Sequence, residues 1–186
     1  MKKNKIYYWG IDVGKISRIE ILGEAGNYIG GIPVDISDDV RAVKIVDALL
    51  KKLPPFRVAV EKVGTFFGGR KGTGGIKATS TIVESLKFWK VYFACREVSL
   101  LLVAPQTWQK VMCPLKKVTH KKKTKDLTPK EKDQRAKENK KRRKDISVTT
   151  AQRLFPKVDF RRTKRCKGPD NNRTDAVIIC EWCRRQ

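Results

Sequence analysis

Three acids stand where a carboxylate can do chemistry. Asp12 lies inside the apolar run of residues 6–14, between Gly10 and Gly14. Glu61 falls near the end of a second apolar run, RVAVEKV at 57–63, and Asp175 falls early in the last segment, GPDNNRTDAVIICEWCRRQ, with Asp170 close by. A carboxylate in a buried strand is expensive to desolvate unless it is paired or binds a metal ion. If the two strands are adjacent and parallel, Asp12 and Glu61 converge. A helix start docked against them would bring in Asp175. Clustered oxygen ligands of this kind suit Mg²⁺ or Mn²⁺. Two such ions can clamp the attacking water and the leaving oxygen of a phosphodiester displacement. Each acid also has a plainer explanation as a helix cap or surface charge, and for Asp175 the helix dipole alone would account for its place.

The elements that must position these acids can be read in order. Residues 6–14 (Ile6, Tyr7, Tyr8, Trp9, Ile11, Val13) read as a strand in the middle of a sheet, covered on both faces. Residues 17–22 and 27–34, joined by a turn at 23–26, complete an antiparallel meander. Ser37, Asp38 and Asp39 offer a cap for a helix over 40–53, which Pro54 and Pro55 stop. The strand at 57–63 leads into a glycine-rich loop, GTFFGGRKGTGG at 64–75, with two aromatics, Phe66 and Phe67, and two cations, Arg70 and Lys71. The Gly-Lys-Ser/Thr end of a phosphate loop is missing from it. Its phenylalanines suit stacking on bases or folding back onto the core. A helix follows over 78–92. The near-continuous apolar run at 98–104 reads as a central strand, and Pro105 starts a short helix over 105–112. A helix over 147–155 and a final helix holding Asp175 in its first turn close the chain.

Composition narrows the partner. The chain has 186 residues, enough for one domain with a real core, and carries 43 Lys/Arg against 19 Asp/Glu, a formal charge of +24. Charge of that size implies a polyanion, most often nucleic acid. Residues 116–145 alone hold fifteen Lys/Arg and five Asp/Glu with scarcely an apolar side chain. This basic insertion reads as a nucleic-acid-binding arm or a solvated insertion, with a solvated helix over 129–144. A second basic patch lies at 159–167. Lys110 and Lys144, with Arg70 and Lys71, are candidates for phosphate-backbone contacts. No apolar run is long enough to span a bilayer, and no secretory leader is visible, so the expectation is no membrane association. Five scattered cysteines, with Cys180 and Cys183 spaced to pack on one helix face, fit a reducing, cytoplasmic setting.

Taken in order, GIDVG (10–14), VAVEKV (58–63), the glycine and aromatic loop, VAPQTWQK (103–110), AQRLFP (151–156) and RCKGPDNNRTDAVIICEW (165–182) resemble the RuvC family of Holliday junction resolvases, especially its phage-type members. The resemblance spans nearly the whole chain. It implies an α/β RNase H-like fold, a five-stranded mixed sheet with helices on both faces. It also implies a homodimer that binds a four-way DNA junction and makes paired symmetric metal-dependent nicks. Asp12, Glu61 and Asp175 match metal-binding carboxylates of the family, and Phe66 and Phe67 fall where the family places an aromatic near the junction centre. The family has a fourth metal-binding residue three or four positions before the last acid, where this chain has Asn172 and Asn171. An amide is a weaker ligand for a hard cation, so either Asp170 serves instead or the site is weakened or inactivated. The basic 116–145 segment is a second departure. Two other readings fit the same residues: a non-catalytic junction- or nucleic-acid-binding protein on this fold, and an RNase H-like nuclease with another substrate.

Overall fold

The computed structural model describes residues 5–62, 73–114 and 127–186, with backbone only for 73–79. In chain order the elements are β1 (Tyr7–Asp12), β2 (Ile16–Gly23), β3 (Tyr28–Asp35), α1 (Asp39–Lys52), β4 (Pro55–Glu61), α2 (Thr73–Ala94), β5 (Leu100–Val103), α3 (Pro105–Met112), α4 (Pro129–Leu154) and α5 (Asn171–Arg184). The strands form one five-stranded sheet in the order β3-β2-β1-β4-β5. β1 is its centre, antiparallel to β2 and parallel to β4, and β3 completes the antiparallel meander. This is the mixed five-stranded α/β architecture expected.

Alternation along the strands divides the core in two. Trp9, Ile11, Ile19, Ile21, Val58 and Val60 face one way and pack with Ala42 and Val46 of α1 and Trp89, Tyr92 and Phe93 of α2. Leu22, Ala59 and Val103 face the other way and pack with Trp108 of α3, Ala151 of α4 and Val177 to Cys180 of α5. Asp12 and Glu61 follow Ile11 and Val60, so both belong to the α3–α5 face. Cys180 and Cys183 are fully buried in that layer.

Three expectations need correction. The apolar run at 98–104 is not a central strand: among the described residues β5 pairs only with β4, at the edge of the sheet. Leu100 packs in one core layer and Leu101 and Val103 in the other, while Leu102 is exposed. The helices over 129–144 and 147–155 are one unbroken helix of 26 residues. Only its composition changes near residue 145; no glycine or proline interrupts it. A capping box at Thr128 and Glu131, with Pro129 in the first turn, starts it. Finally, α5 begins at Asn171 with Asp170 as its N-cap, so Asp175 is the fifth helical residue and lies beyond the first turn. The dipole does not account for its place.

α5 lies unusually close to the sheet. A Cβ on Gly10 would come 2.2 Å from the Ala176 carbonyl oxygen and 2.4 Å from the Cys180 backbone nitrogen. Only a glycine admits a helix backbone this near to the central strand. Gly10→Ala is therefore expected to destabilise the chain by at least the 1–3 kcal/mol typical of overpacking, because backbone rather than a flexible side chain must move. Urea denaturation reads this directly; an unchanged midpoint would show that α5 can retreat at no cost.

Candidate metal and nucleic-acid site

The parallel pairing of β1 and β4 aligns Ile11 with Val60. One residue further on, Asp12 and Glu61 end the two strands side by side on the α5 face. α5 crosses above them and sets Asp175 near both. Asp12 is only partly open to solvent. Burial raises its carboxyl pKa well above the usual range, and the charges of Glu61, Asp175 and Asp170 push the same way. A hydrogen bond with Glu61 favours the protonated form of Asp12. Burial also raises Glu61, against a hydrogen bond from the Trp108 indole Nε1 at 3.1 Å. Burial raises Asp175 too, opposed by a hydrogen bond from the Ser147 hydroxyl and by the charge of Lys144.

The structure thus brings together Asp12, Glu61, Asp175 and Asp170 electrostatically. Among the described residues, no three acid, histidine or cysteine side chains form a ready-made metal cage. Trp108 holds Glu61 and Ser147 holds Asp175 by one hydrogen bond each. The donor set still fits a hard divalent cation. It is oxygen-only, and Asp12, Glu61 and Asp175 each suffer from burial and like charge, both of which a cation among them would offset. Asp170 differs in that its side chain already accepts the Asn172 backbone N–H at 3.1 Å. Asn171 occupies the first helical position, and its carbonyl accepts the Thr174 hydroxyl.

Two clefts open beside the acids. One, of about 470 Å³, lies between α3 and α4 and is lined by Trp108, Gln109, Lys140, Arg143, Lys144, Ser147 and Asp175, among others. Its α4 cations recur at helical spacing on one face. Lys144 lines this cleft, and its charge acts on Asp175. Lys110 is exposed on α3 and does not line this cleft. The other cleft, of about 530 Å³, is lined by Ile16, Arg18, Pro33, Arg162, Thr163, Asp170 and Asn172. Phe66, Phe67, Arg70 and Lys71 lie outside the described residues, as does the 116–126 part of the basic insertion.

Sequence reading missed the residues that hold the acids. Trp108 and Ser147 are both buried, and each donates to one carboxylate. A tryptophan opening a short helix just after a strand, and a serine on the apolar side of an amphipathic helix, were the available signals. Glu20 was also missed. It is fully buried on β2 and accepts from the Tyr28 hydroxyl (2.6 Å), Arg18 Nε (2.8 Å) and Arg173 Nε (3.2 Å). Arg173 also donates to the carbonyls of Asp159 and Arg161, tying α5 to β2 and to the loop before α5. Its alternation on β2, on the face opposite Ile19 and Ile21, was the only hint.

Comparison with solved structures identifies the fold. Thermus thermophilus RuvC in complex with a Holliday junction substrate superposes with a TM-score of 0.55 over 94% of this chain and 90% of that one, at 14% identity. A second Thermus thermophilus RuvC structure gives 0.54 over 94% and 91%, also at 14% identity. The chain therefore has the RuvC-like, RNase H-like fold. No protein-family model matches it, and no curated protein matches it by sequence.

Raised carboxyl pKa values make a stability statement. A carboxyl whose folded pKa exceeds its unfolded value stabilises the fold at pH below the unfolded value. That contribution is lost as pH rises through the folded value. Asp12→Asn removes the charge and keeps a hydrogen-bond donor for Glu61. In chelator, Tm of Asp12→Asn is expected to exceed that of the unaltered chain by roughly 3 °C or more at pH 8, with the gap closing toward pH 4. Equal Tm at both pH values would show that Asp12 is not under electrostatic stress.

Proposed function

We propose that this chain is a metal-dependent, structure-selective DNA endonuclease that resolves four-way junctions, acting as a homodimer on branched DNA. The observation that supports this most is the placement of Asp12, Glu61 and Asp175, at the ends of two parallel strands and on the helix above them, beside a cation-lined cleft. The RuvC-like fold and the junction bound to one of its structural neighbours agree with it.

In this reading Asp12, Glu61 and Asp175 hold Mg²⁺ or Mn²⁺, with Asp170 at the margin. The bound ion supplies Lewis-acid polarisation of the phosphodiester and an activated water. Trp108 and Ser147 orient Glu61 and Asp175, so the ligands need little reorganisation. Lys140, Arg143 and Lys144 bind the phosphate backbone and bring the scissile bond to the acids. They also offset the repulsion between the DNA and the carboxylates.

A second reading, a junction-binding protein without cleavage, is favoured by one feature. Asn172 lines the cleft beside Asp170, and Asn172 and Asn171 stand three and four positions before Asp175, where the resembled family has a metal-binding acid or histidine. Cleavage of a synthetic four-way junction in Mg²⁺ and in Mn²⁺ separates the two. Paired symmetric nicks are expected from the unaltered chain, and none from Asp12→Asn. Tight binding without nicks, with nicking gained by Asn172→Asp or Asn171→Asp, would make the natural chain a binder. A linear duplex that competes equally with the junction would remove the resolvase reading altogether.

The orienting residues give a separate prediction. Trp108→Phe removes the indole N–H and leaves a smaller ring in the core, so it is expected to lower Tm as well, whereas Ser147→Ala removes only the hydroxyl. Each is expected to weaken divalent-ion binding by about 10–100-fold, measured by calorimetric titration, with little change in Tm for Ser147→Ala. Unchanged affinity would show that Glu61 and Asp175 need no orienting partner.

A further inference from the structure

In the proposed endonuclease the phosphate-binding cations line the cleft between α3 and α4. The other cleft is walled by the loop between α4 and α5, and that loop has no role in the site so far. It is closed at its base. Arg161 and Pro169 form an isolated antiparallel bridge, and the Asp170 N–H donates to the Phe160 carbonyl at 2.8 Å. Arg173 fixes one strand of the base by donating to the carbonyls of Asp159 and Arg161, and its guanidinium lies 5.7 Å from the centre of the buried Phe160 ring. Arg161 is neutralised by Asp159 at 2.7 Å.

The loop's remaining cations are different. Arg162, Lys164, Arg165 and Lys167 are exposed, and among the described residues none has an ion-pair partner. Four like charges on a short closed loop repel one another, and the fold keeps them together with a buried anchor. Arg162 and Thr163 turn into the cleft, opposite Arg18 of β2. Arg18 stands across from Asp12 in the β1–β2 register, and Asp170 of the same cleft acts electrostatically on Asp12. The acids therefore lie between two cationic surfaces, α4 on one side and this loop on the other.

We infer that the 161–169 loop is a second nucleic-acid-binding element, which grips the phosphate backbone of the DNA on the side of the acids away from α4. The inference rests on the endonuclease reading and adds to it the course of the DNA beyond the acids: a backbone held by α4 on one flank is held by this loop on the other. A polynucleotide fits this arrangement because its charges repeat along a line and can engage both surfaces at once. Unpaired, exposed arginine and lysine contact it without displacing any internal partner.

The chain carries its own probe. Cys166 is partly exposed on the loop, while Cys95 is exposed at the end of α2 on the opposite side of the sheet, and Cys113, Cys180 and Cys183 are buried. Alkylation of the full-length protein by a maleimide, with and without a synthetic four-way junction, is expected to slow at least tenfold at Cys166 on DNA binding and to be unchanged at Cys95. In parallel, a variant with Arg162→Ala, Lys164→Ala, Arg165→Ala and Lys167→Ala is expected to keep its Tm and to bind the junction at least tenfold more weakly. Its log–log salt slope should fall by about 2–4, since each lost duplex phosphate contact removes roughly 0.9. A Lys140→Ala, Lys144→Ala variant serves as the comparison. If the loop variant binds like the unaltered chain while the α4 variant is weakened, the loop inference is overturned and the endonuclease reading stands. Cys166 alkylated equally with and without bound junction overturns it too. No binding of the unaltered chain to junction or duplex overturns both.

Discussion

The close approach of α5 to β1 is the constraint on which the rest of the site depends. Parallel pairing of β1 and β4 brings Asp12 and Glu61 together, but two strand-end carboxylates alone make only a pair. Asp175 joins them because the helix that carries it lies almost on the backbone of the central strand. Gly10 permits this by having no side chain where Ala176 and Cys180 pass. From Ala176 to Cys180 α5 is buried on every side. The apolar run from Ala176 to Cys180 is thus the counterpart of a missing methyl group on the strand below.

Held in this way, the acids are under stress. Burial and mutual repulsion favour their neutral forms, and the neighbouring donors, Trp108 and Ser147, relieve only part of that cost. Stability is lost locally so that a charged site can exist inside a folded layer. Elsewhere on the same face, Glu20 is buried more deeply still, yet it is surrounded by two arginines and a tyrosine hydroxyl. Two buried acids on one face of the sheet therefore do opposite things. Glu20 is satisfied by its partners and holds elements together, whereas Asp12 lies among other acids.

Much of this was legible in the chain. Asp12 and Glu61 were expected to converge if their strands lay adjacent and parallel, and apolar residues on both sides of β1 marked it as the centre of the sheet; the pairing of β1 with β4 supplied the condition. Asp175 was picked out by its position near the start of an apolar helix, though the location of the cap one residue before Asn171 was needed to exclude the dipole explanation. What failed has a common cause. An apolar run reports burial of both faces and says nothing about pairing at the edges, so β5 read as central. A change in charge density mimicked a helix boundary at residue 145, because composition was judged where only a breaker residue would have been decisive. The Glu20 network joins residues more than 150 positions apart through Arg173, and contacts of that kind leave no local periodicity to read.

The continuity of α4 has a mechanical consequence. From Lys130 to Ser147 the helix advances 1.5 Å per residue, a distance of roughly 25 Å. Its outer turns are largely exposed, and Ser147, about two turns before its C-terminal end, donates to Asp175. A rod without a joint transmits displacement, so a load applied to the outer turns reaches the carboxylate as a tilt or a shift rather than dissipating in a hinge. Two helices separated by a flexible link would have uncoupled the tip from the base; a single span makes the outer cations and the innermost acid parts of one lever.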